Sequence, residues 1–142
     1  MTIENARELV AAWIEEAQIP EANRLDIVVT SGNLLAAVEA LTTWGYLSTI
    51  TGLDYGRQVG RFEVLYHFCS GAAIVTLRVR TARESPAVPS ICRLIPSAVV
   101  FERELREMFG ITVIGIPNAD PLFLPEDWAQ GVYPLRKDAV LE

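Results

Sequence analysis

Apolar residues at Ile3, Ala6, Val10, Trp13, Ile14 and Ala17 recur every three or four positions, which predicts an amphipathic helix stopped by Pro20. The period then shortens to two. In "RLDIVVT", Leu25, Ile27 and Val29 alternate with Asp26, Val28 and Thr30, the pattern of a strand. The capping side chains of "TSGN" lead into Leu34, Val38 and Leu41, one face of a second helix, with Gly45 placed for a left-handed C-terminal cap. "YLSTITGLDYG" predicts a strand that ends in a turn at Asp54 to Gly56. "RFEVLYHFCS" sets Phe62, Val64, Tyr66 and Phe68 on one face and Arg61, Glu63, Leu65 and His67 on the other. With "IVTLRVR" beyond the break at Ser70-Gly71, it predicts an antiparallel hairpin. "TARESPAVPS" is expected to be a loop, interrupted by Pro86 and Pro89. Ala98, Phe101, Leu105 and Met108 then mark a helix over 98–109 that Gly110 ends.

This order of elements predicts an α+β fold of two layers, a mixed or antiparallel sheet with helices packed on one face. Residues 1–116 form the compact domain. Residues 117–142 are an irregular, extended C-terminal tail holding Pro117, Pro121, Pro125 and Pro134. The tail has no period and no core of its own, yet Phe123, Trp128 and Leu135 are too apolar for a solvated end. It is expected to lie across another surface, of this chain or of a partner.

Composition narrows the function. With 142 residues, 51% hydrophobic and 21% charged, the chain is one globular domain rather than a disordered one. A net charge of -6 argues against nucleic acid and anionic lipid as partners. No apolar run reaches the ~20 residues of a membrane span, and the N-terminus lacks the basic and apolar regions of a signal peptide. A cytoplasmic chain is expected. Two cysteines, Cys69 and Cys92, and one histidine, His67, are too few for a disulfide framework, a zinc site or an iron–sulfur cluster. No glycine pattern matches a phosphate loop or a dinucleotide fold.

The stretch "FERELREMFGI", Phe101 to Ile111, admits three readings. Glu102 with Arg106 and Arg103 with Glu107 stand at i, i+4 and would make a helix knitted by ion pairs. The same charges could organise a contact with another subunit. Catalysis by paired carboxylates is the third, with no nucleophile or metal ligand set nearby. Around it, His67 reads as a sheet-surface residue and Asp54-Tyr55 as a turn. A self-contained ligand-binding module would need Asp54, His67 and Glu102 to converge in one cleft.

Three segments in order, "YLSTITGLDYG…RFEVLYHFCS", "VPSICRLIPSAVVFERELREMFGI" and "LPEDWAQGVYPLRKD", resemble the thirty-kilodalton subunit of the NADH–quinone oxidoreductases of complex I. The family includes the matching subunit or domain of complex I-related, membrane-bound nickel–iron hydrogenases. The specific parts are Glu102 to Ile111 and the ending Pro134 to Asp138. The ending lies closer to the hydrogenase branch, where L-P-x-D-W precedes P-L-R-K-D. Here Gly115-Ile116-Pro117 lacks the histidine and Asn118 to Leu124 the arginines of the respiratory branch.

The resemblance implies a cofactor-free, peripheral subunit at the cytoplasmic face of the membrane. It would sit against a hydrogenase-like large subunit and small iron–sulfur subunits, reaching the membrane only through them. Iron–sulfur clusters and, in the hydrogenase branch, a nickel–iron centre would belong to those partners. Glu102, Arg103 and Glu104 are expected as charged interface residues, Phe123 and Trp128 as apolar anchors, and Pro134, Leu135, Arg136, Lys137 and Asp138 as the clamp of the tail on the large subunit.

Overall fold

The computed structural model describes residues 1–140. The first helix, α1 (Ile3–Val10), is capped by Thr2, whose hydroxyl accepts the Asn5 N–H while the Asn5 side chain accepts the Thr2 N–H. It is shorter than the periodicity predicts. After Val10 the chain tightens into a single 3-10 turn at Ala11–Trp13, becomes extended at Ile14 and enters the short strand β1 (Glu16–Gln18). Trp13, Ile14 and Ala17 still pack on the core, so their spacing reports burial correctly while the backbone is no longer helical.

Strand β2 (Arg24–Val28) and helix α2 (Leu34–Thr42) follow as expected. Gly45 does not adopt a left-handed cap. It is required because a Cβ at that position would run into the Cys69 carbonyl. Strand β3 (Tyr46–Asp54) leads through one short helical turn, α3 (Gly56–Val59), into the long hairpin of β4 (Arg61–Ser70) and β5 (Ala73–Ala82). The five-stranded sheet has the order β1-β2-β5-β4-β3. All its neighbours are antiparallel except β2 and β5, which run parallel, with Asp26 beside Thr76 and Val28 beside Arg78.

Helix α4 (Val99–Phe109) ends at Gly110, whose φ of 71 places it in the left-handed region as the sequence predicts. The loop of Pro86 and Pro89 is more regular than expected. Strands β6 (Ala87–Pro89) and β7 (Thr112–Ile114) pair in parallel on either side of α4 in sequence and bury Val88 and Val113.

One side of the large sheet forms the core, where Leu25, Ile27, Phe62, Val64, Tyr66, Phe68, Val75, Leu77 and Val79 meet α1, α2 and α4. Phe109 of α4 meets Phe62 edge to face, ring centroids 6.0 Å apart, and lies so close to β3 that a Cβ on Gly52 would sit 2.7 Å from it. Among the described residues no helix lies over the other side of the sheet. There Glu63 is buried among the guanidinium groups of Arg61 at 3.2 Å, Arg78 at 3.1 Å and Arg80 at 3.6 Å. Arg78 also holds Asp26 at 3.0 Å, and Arg80 holds Glu16 at 2.7 Å.

Candidate functional site

Helix α4 carries the charges that the sequence left open, and its structure overturns the ion-paired helix. Among the described residues no ion pair joins Glu102 to Arg106 or Arg103 to Glu107. Each of these side chains instead bonds to a different part of the chain.

Glu102 is fully buried. Its carboxylate accepts the Ser90 hydroxyl at 2.6 Å, the Ile91 N–H at 2.8 Å and the Cys92 thiol at 3.0 Å. The loop after β6 is therefore fastened to α4 through one carboxylate. Burial, with Glu102 adding to it and Ser90 opposing, pushes the Cys92 thiol up to about 11. Tyr66 lies in the same region with its hydroxyl buried and without a hydrogen-bond partner, and burial raises its phenol. Glu102, expected at an interface, is thus enclosed and organises its own chain.

One turn further on, the Glu107 carboxylate accepts three successive backbone N–H groups, from Leu122 at 3.0 Å, Phe123 at 2.7 Å and Leu124 at 3.1 Å. Burial favours the protonated acid, but these amides and the Arg103 charge outweigh it and hold the carboxyl below its usual range. Arg103 donates to the Asp120 and Pro121 carbonyls at 3.0 and 2.8 Å, and Arg106 to the Ala119 carbonyl at 2.8 Å. The first part of the tail is wrapped along this face of α4.

The far end of the tail is also held by its own domain. Leu135 N–H bonds the Met108 carbonyl at 3.0 Å, and Arg136 Nε donates to the Phe109 carbonyl at 2.7 Å. The Arg136 guanidinium lies over the rings of Tyr133 and Phe62, at 4.6 and 5.2 Å from their centroids. Asp54 accepts the N–H groups of Gly56 and Lys137 and a two-pronged contact from Arg83, at 3.0 Å on each prong. Burial alone would raise Asp54, but the Arg83 bonds, the two amides and the Arg83 charge together drive it far down. Asp138 closes the ring of charges on Arg83 at 2.7 Å and Arg57 at 2.6 Å, and those two arginines lower its carboxyl.

Of the expected interface residues, Arg103, Arg136 and Asp138 therefore bond their charged groups to other parts of this chain, with Asp138 still exposed. Glu104 is half-buried without a bond of its own among those described. Phe123 and Leu135 are exposed at 58% and 51%, and Lys137 offers its backbone to Asp54. Trp128 is half-buried, its indole N–H on the Val132 carbonyl at 2.8 Å, and Pro134 is also half-buried. Asp54, Arg57 and Arg83 were not legible as a site, because they lie far from the tail in sequence and only the fold brings them to it.

Asp54, His67 and Glu102 share no partner. His67 sits on the uncovered side of the sheet between the Thr76 and Thr51 hydroxyls, at 2.9 and 3.2 Å, and burial lowers it. The cleft that a ligand-binding module would need is not assembled from these three. Among the described residues no cluster of three or more His, Cys, Asp or Glu side chains is placed to hold a metal ion.

The geometry accords with comparisons to known proteins. Residues 27–142 match the family model for the respiratory-chain NADH dehydrogenase, 30 Kd subunit. The C subunit of the NADH-quinone oxidoreductase of Roseiflexus castenholzii is 43% identical over 98 residues, which cover 68% of this chain and 55% of that protein. Formate hydrogenlyase subunit 5 of Escherichia coli is 34% identical over 123 residues, 83% of this chain and 22% of that protein. This chain thus spans about half the length of the first relative and about a fifth of the second. A chain in the structure of an archaeal membrane-bound sulfane sulfur reductase, a respiratory membrane complex, superposes with a TM-score of 0.82 over 98% of this chain and 85% of its own, at 19% identity. A trypsin-resistant fragment (1–134) of Nqo5 superposes with a TM-score of 0.66 over 82% of this chain and 95% of its own, at 25% identity. The chain belongs to the family of the respiratory-chain NADH dehydrogenase 30 Kd subunit.

Proposed function

We propose that this chain is a cofactor-free scaffold subunit of a membrane-bound, ion-translocating oxidoreductase complex, and that the complex is an energy-converting nickel–iron hydrogenase of the formate hydrogenlyase kind. The observation that supports it is how the tail is held. Its polar groups are engaged with α4 and the Asp54 cluster, while Phe123 and Leu135 face outward. Apolar side chains held outward on an anchored strand of backbone suit contact with another polypeptide. The partners are a hydrogenase-like large subunit and the small iron–sulfur subunits, which carry the electron-transfer centres and, in the large subunit, the nickel–iron site. This chain keeps them in register at the cytoplasmic face and touches the membrane only through them. In formate hydrogenlyase subunit 5 the matching region is about a fifth of a longer protein.

A second reading, the thirty-kilodalton subunit of an NADH–quinone oxidoreductase, is favoured by the 43% identity to the Roseiflexus castenholzii protein. The ending "LPEDWAQGVYPLRKD" and the missing histidine and arginines after Gly115 favour the hydrogenase.

The test is a double substitution, Phe123→Asp with Leu135→Asp, in cells that assemble the complex. The isolated variant should unfold at the same denaturant concentration as the natural chain, while the large subunit recovered with it falls severalfold. Undiminished recovery of the large subunit would remove the scaffold reading. Deleting the chain and assaying membranes separates the branches, by loss of hydrogen evolution in one case and of NADH oxidation in the other.

A further inference from the structure

We propose that residues 118–138 are a releasable strap, closed on its own domain at both ends by charge-assisted hydrogen bonds and able to open without unfolding that domain. This goes beyond the scaffold reading and does not depend on it.

The argument starts from what the strap lacks. Among the described residues the buried apolar core reaches only to Val113, and the apolar fringe packed against it only to Ile116. Further on, Arg136 lays its guanidinium over the core ring of Phe62 rather than adding an apolar side chain. The attachments of the strap are polar: the Leu122 to Leu124 amides on Glu107, the carbonyls of 119–121 on Arg103 and Arg106, the Lys137 amide on the buried Asp54, and the more exposed Asp138 carboxylate on Arg83 and Arg57. Between the two ends, bonds stay local, from Trp128 N–H to the Pro125 carbonyl and from the Trp128 indole to the Val132 carbonyl.

The two kinds of attachment respond differently to conditions. Apolar burial is insensitive to added simple salt at moderate concentration, whereas exposed charge pairs are weak and screened. The sheet and its helices thus form one cooperative unit, and the strap forms a second that opens at lower cost. The sequence adds a reporter. No lysine or arginine lies between Arg106 and Arg136, so trypsin can cut the strap only after Arg136 or Lys137. Both stand inside the closure, with Arg136 Nε on the Phe109 carbonyl and Lys137 N–H on Asp54.

The full chain, alone in solution, is followed by amide hydrogen exchange read residue by residue and by brief trypsin digestion. Amides of Leu122, Phe123, Leu124 and Lys137 should exchange at least about tenfold more slowly than in an unstructured peptide, yet about a hundredfold or more faster than those of Val64 and Leu77. Raising the salt to about 1 M should speed the strap amides severalfold and leave the sheet amides unchanged. Asp138→Asn should speed Lys137 exchange and cleavage after Arg136, and Glu107→Gln should speed the Leu122 to Leu124 amides, each roughly tenfold. Because Asp138 is exposed, a folding defect in the Glu107 variant leaves the first substitution decisive. Free-peptide exchange of the strap amides in the natural chain would overturn the proposal, for the strap would then not close. Exchange as slow as that of the sheet, lost only on global unfolding, would overturn it equally, for the strap would then be part of the core unit.

Discussion

Gly110 and Tyr133 meet so closely that a Cβ on the glycine would lie 2.6 Å from the tyrosine ring. The same Cβ would lie 2.9 Å from the Arg136 guanidinium. One residue therefore does two things, ending α4 in the left-handed conformation and leaving the space into which the tail closes. Gly110→Ala should cost about 1 kcal/mol for the backbone conformation alone, plus the displacement of Tyr133. Gly56→Ala is the control, because Gly56 has a φ of 85 but nothing within 4 Å of its would-be Cβ. Both variants should lower the unfolding midpoint, and only Gly110→Ala should accelerate trypsin cleavage after Arg136. Equal cleavage in the two variants would contradict the close approach.

Glu102 fastens the loop after β6 to α4 through three donors. Glu102→Ala takes the acceptor from the buried Ile91 N–H and Cys92 thiol, and should destabilise the chain by about 3 kcal/mol. Urea denaturation should show this as a lower midpoint at unchanged slope. A loss below about 0.5 kcal/mol would mean that the carboxylate is not the link between these elements.

Tyr66 presents the opposite case, a buried hydroxyl with no partner. Tyr66→Phe removes the unpaired group and keeps the ring, so stability should stay the same or rise by about 1 kcal/mol. Tyr66→Leu, which also leaves a void, should cost about 2–4 kcal/mol. Thermal unfolding of the two variants makes the comparison, and a marked fall for the phenylalanine variant would reveal a hydrogen bond to that hydroxyl.

Acid should loosen the tail. Asp54, Glu107 and Asp138 all have carboxyls lowered in the folded chain from ordinary values of 3.8 for aspartate and 4.5 for glutamate. Their contribution to the closure is complete above those ordinary values and is lost as pH falls through the lowered ones. Nothing should change between about pH 8 and pH 5, while from about pH 4 downward pepsin should nick the Phe123–Leu124 bond with growing speed. Cleavage that is constant throughout the acid range would show that these carboxylates do not hold the tail.

The sequence made the sheet legible because Phe62, Val64, Tyr66 and Phe68 alternate without interruption, and the α+β layering follows from it. Two errors have the same root. Trp13, Ile14 and Ala17 keep helical spacing while the backbone has left the helix, and Val88 and Val113 make a parallel pair from two segments too short to show a period. For α4 the charges were conspicuous but their partners were not. An i, i+4 pairing is the nearest arrangement available to a reader of the sequence, yet Arg103 and Glu107 find better bonds in carbonyls and amides of a tail that folds back over them. Asp54 was recognisable as a turn residue from its neighbour Gly56, and its bond to the Gly56 N–H is there. That it also secures Lys137 depends on a closure across most of the chain.

The uncovered side of the sheet has a consequence for the chain before it meets any neighbour. Glu16, Asp26 and Glu63 are paired there with Arg61, Arg78 and Arg80, in a lattice beside which Leu65 and Val28 are buried. Such a surface has neither the greasy patches that draw sheets together nor a one-signed field that gathers counter-ions. That broad flank can therefore stay wetted in the free chain, while the outward apolar side chains, Ile19, Tyr46 and Ile114 on the domain and Phe123 and Leu135 on the tail, are the ones left to seek company.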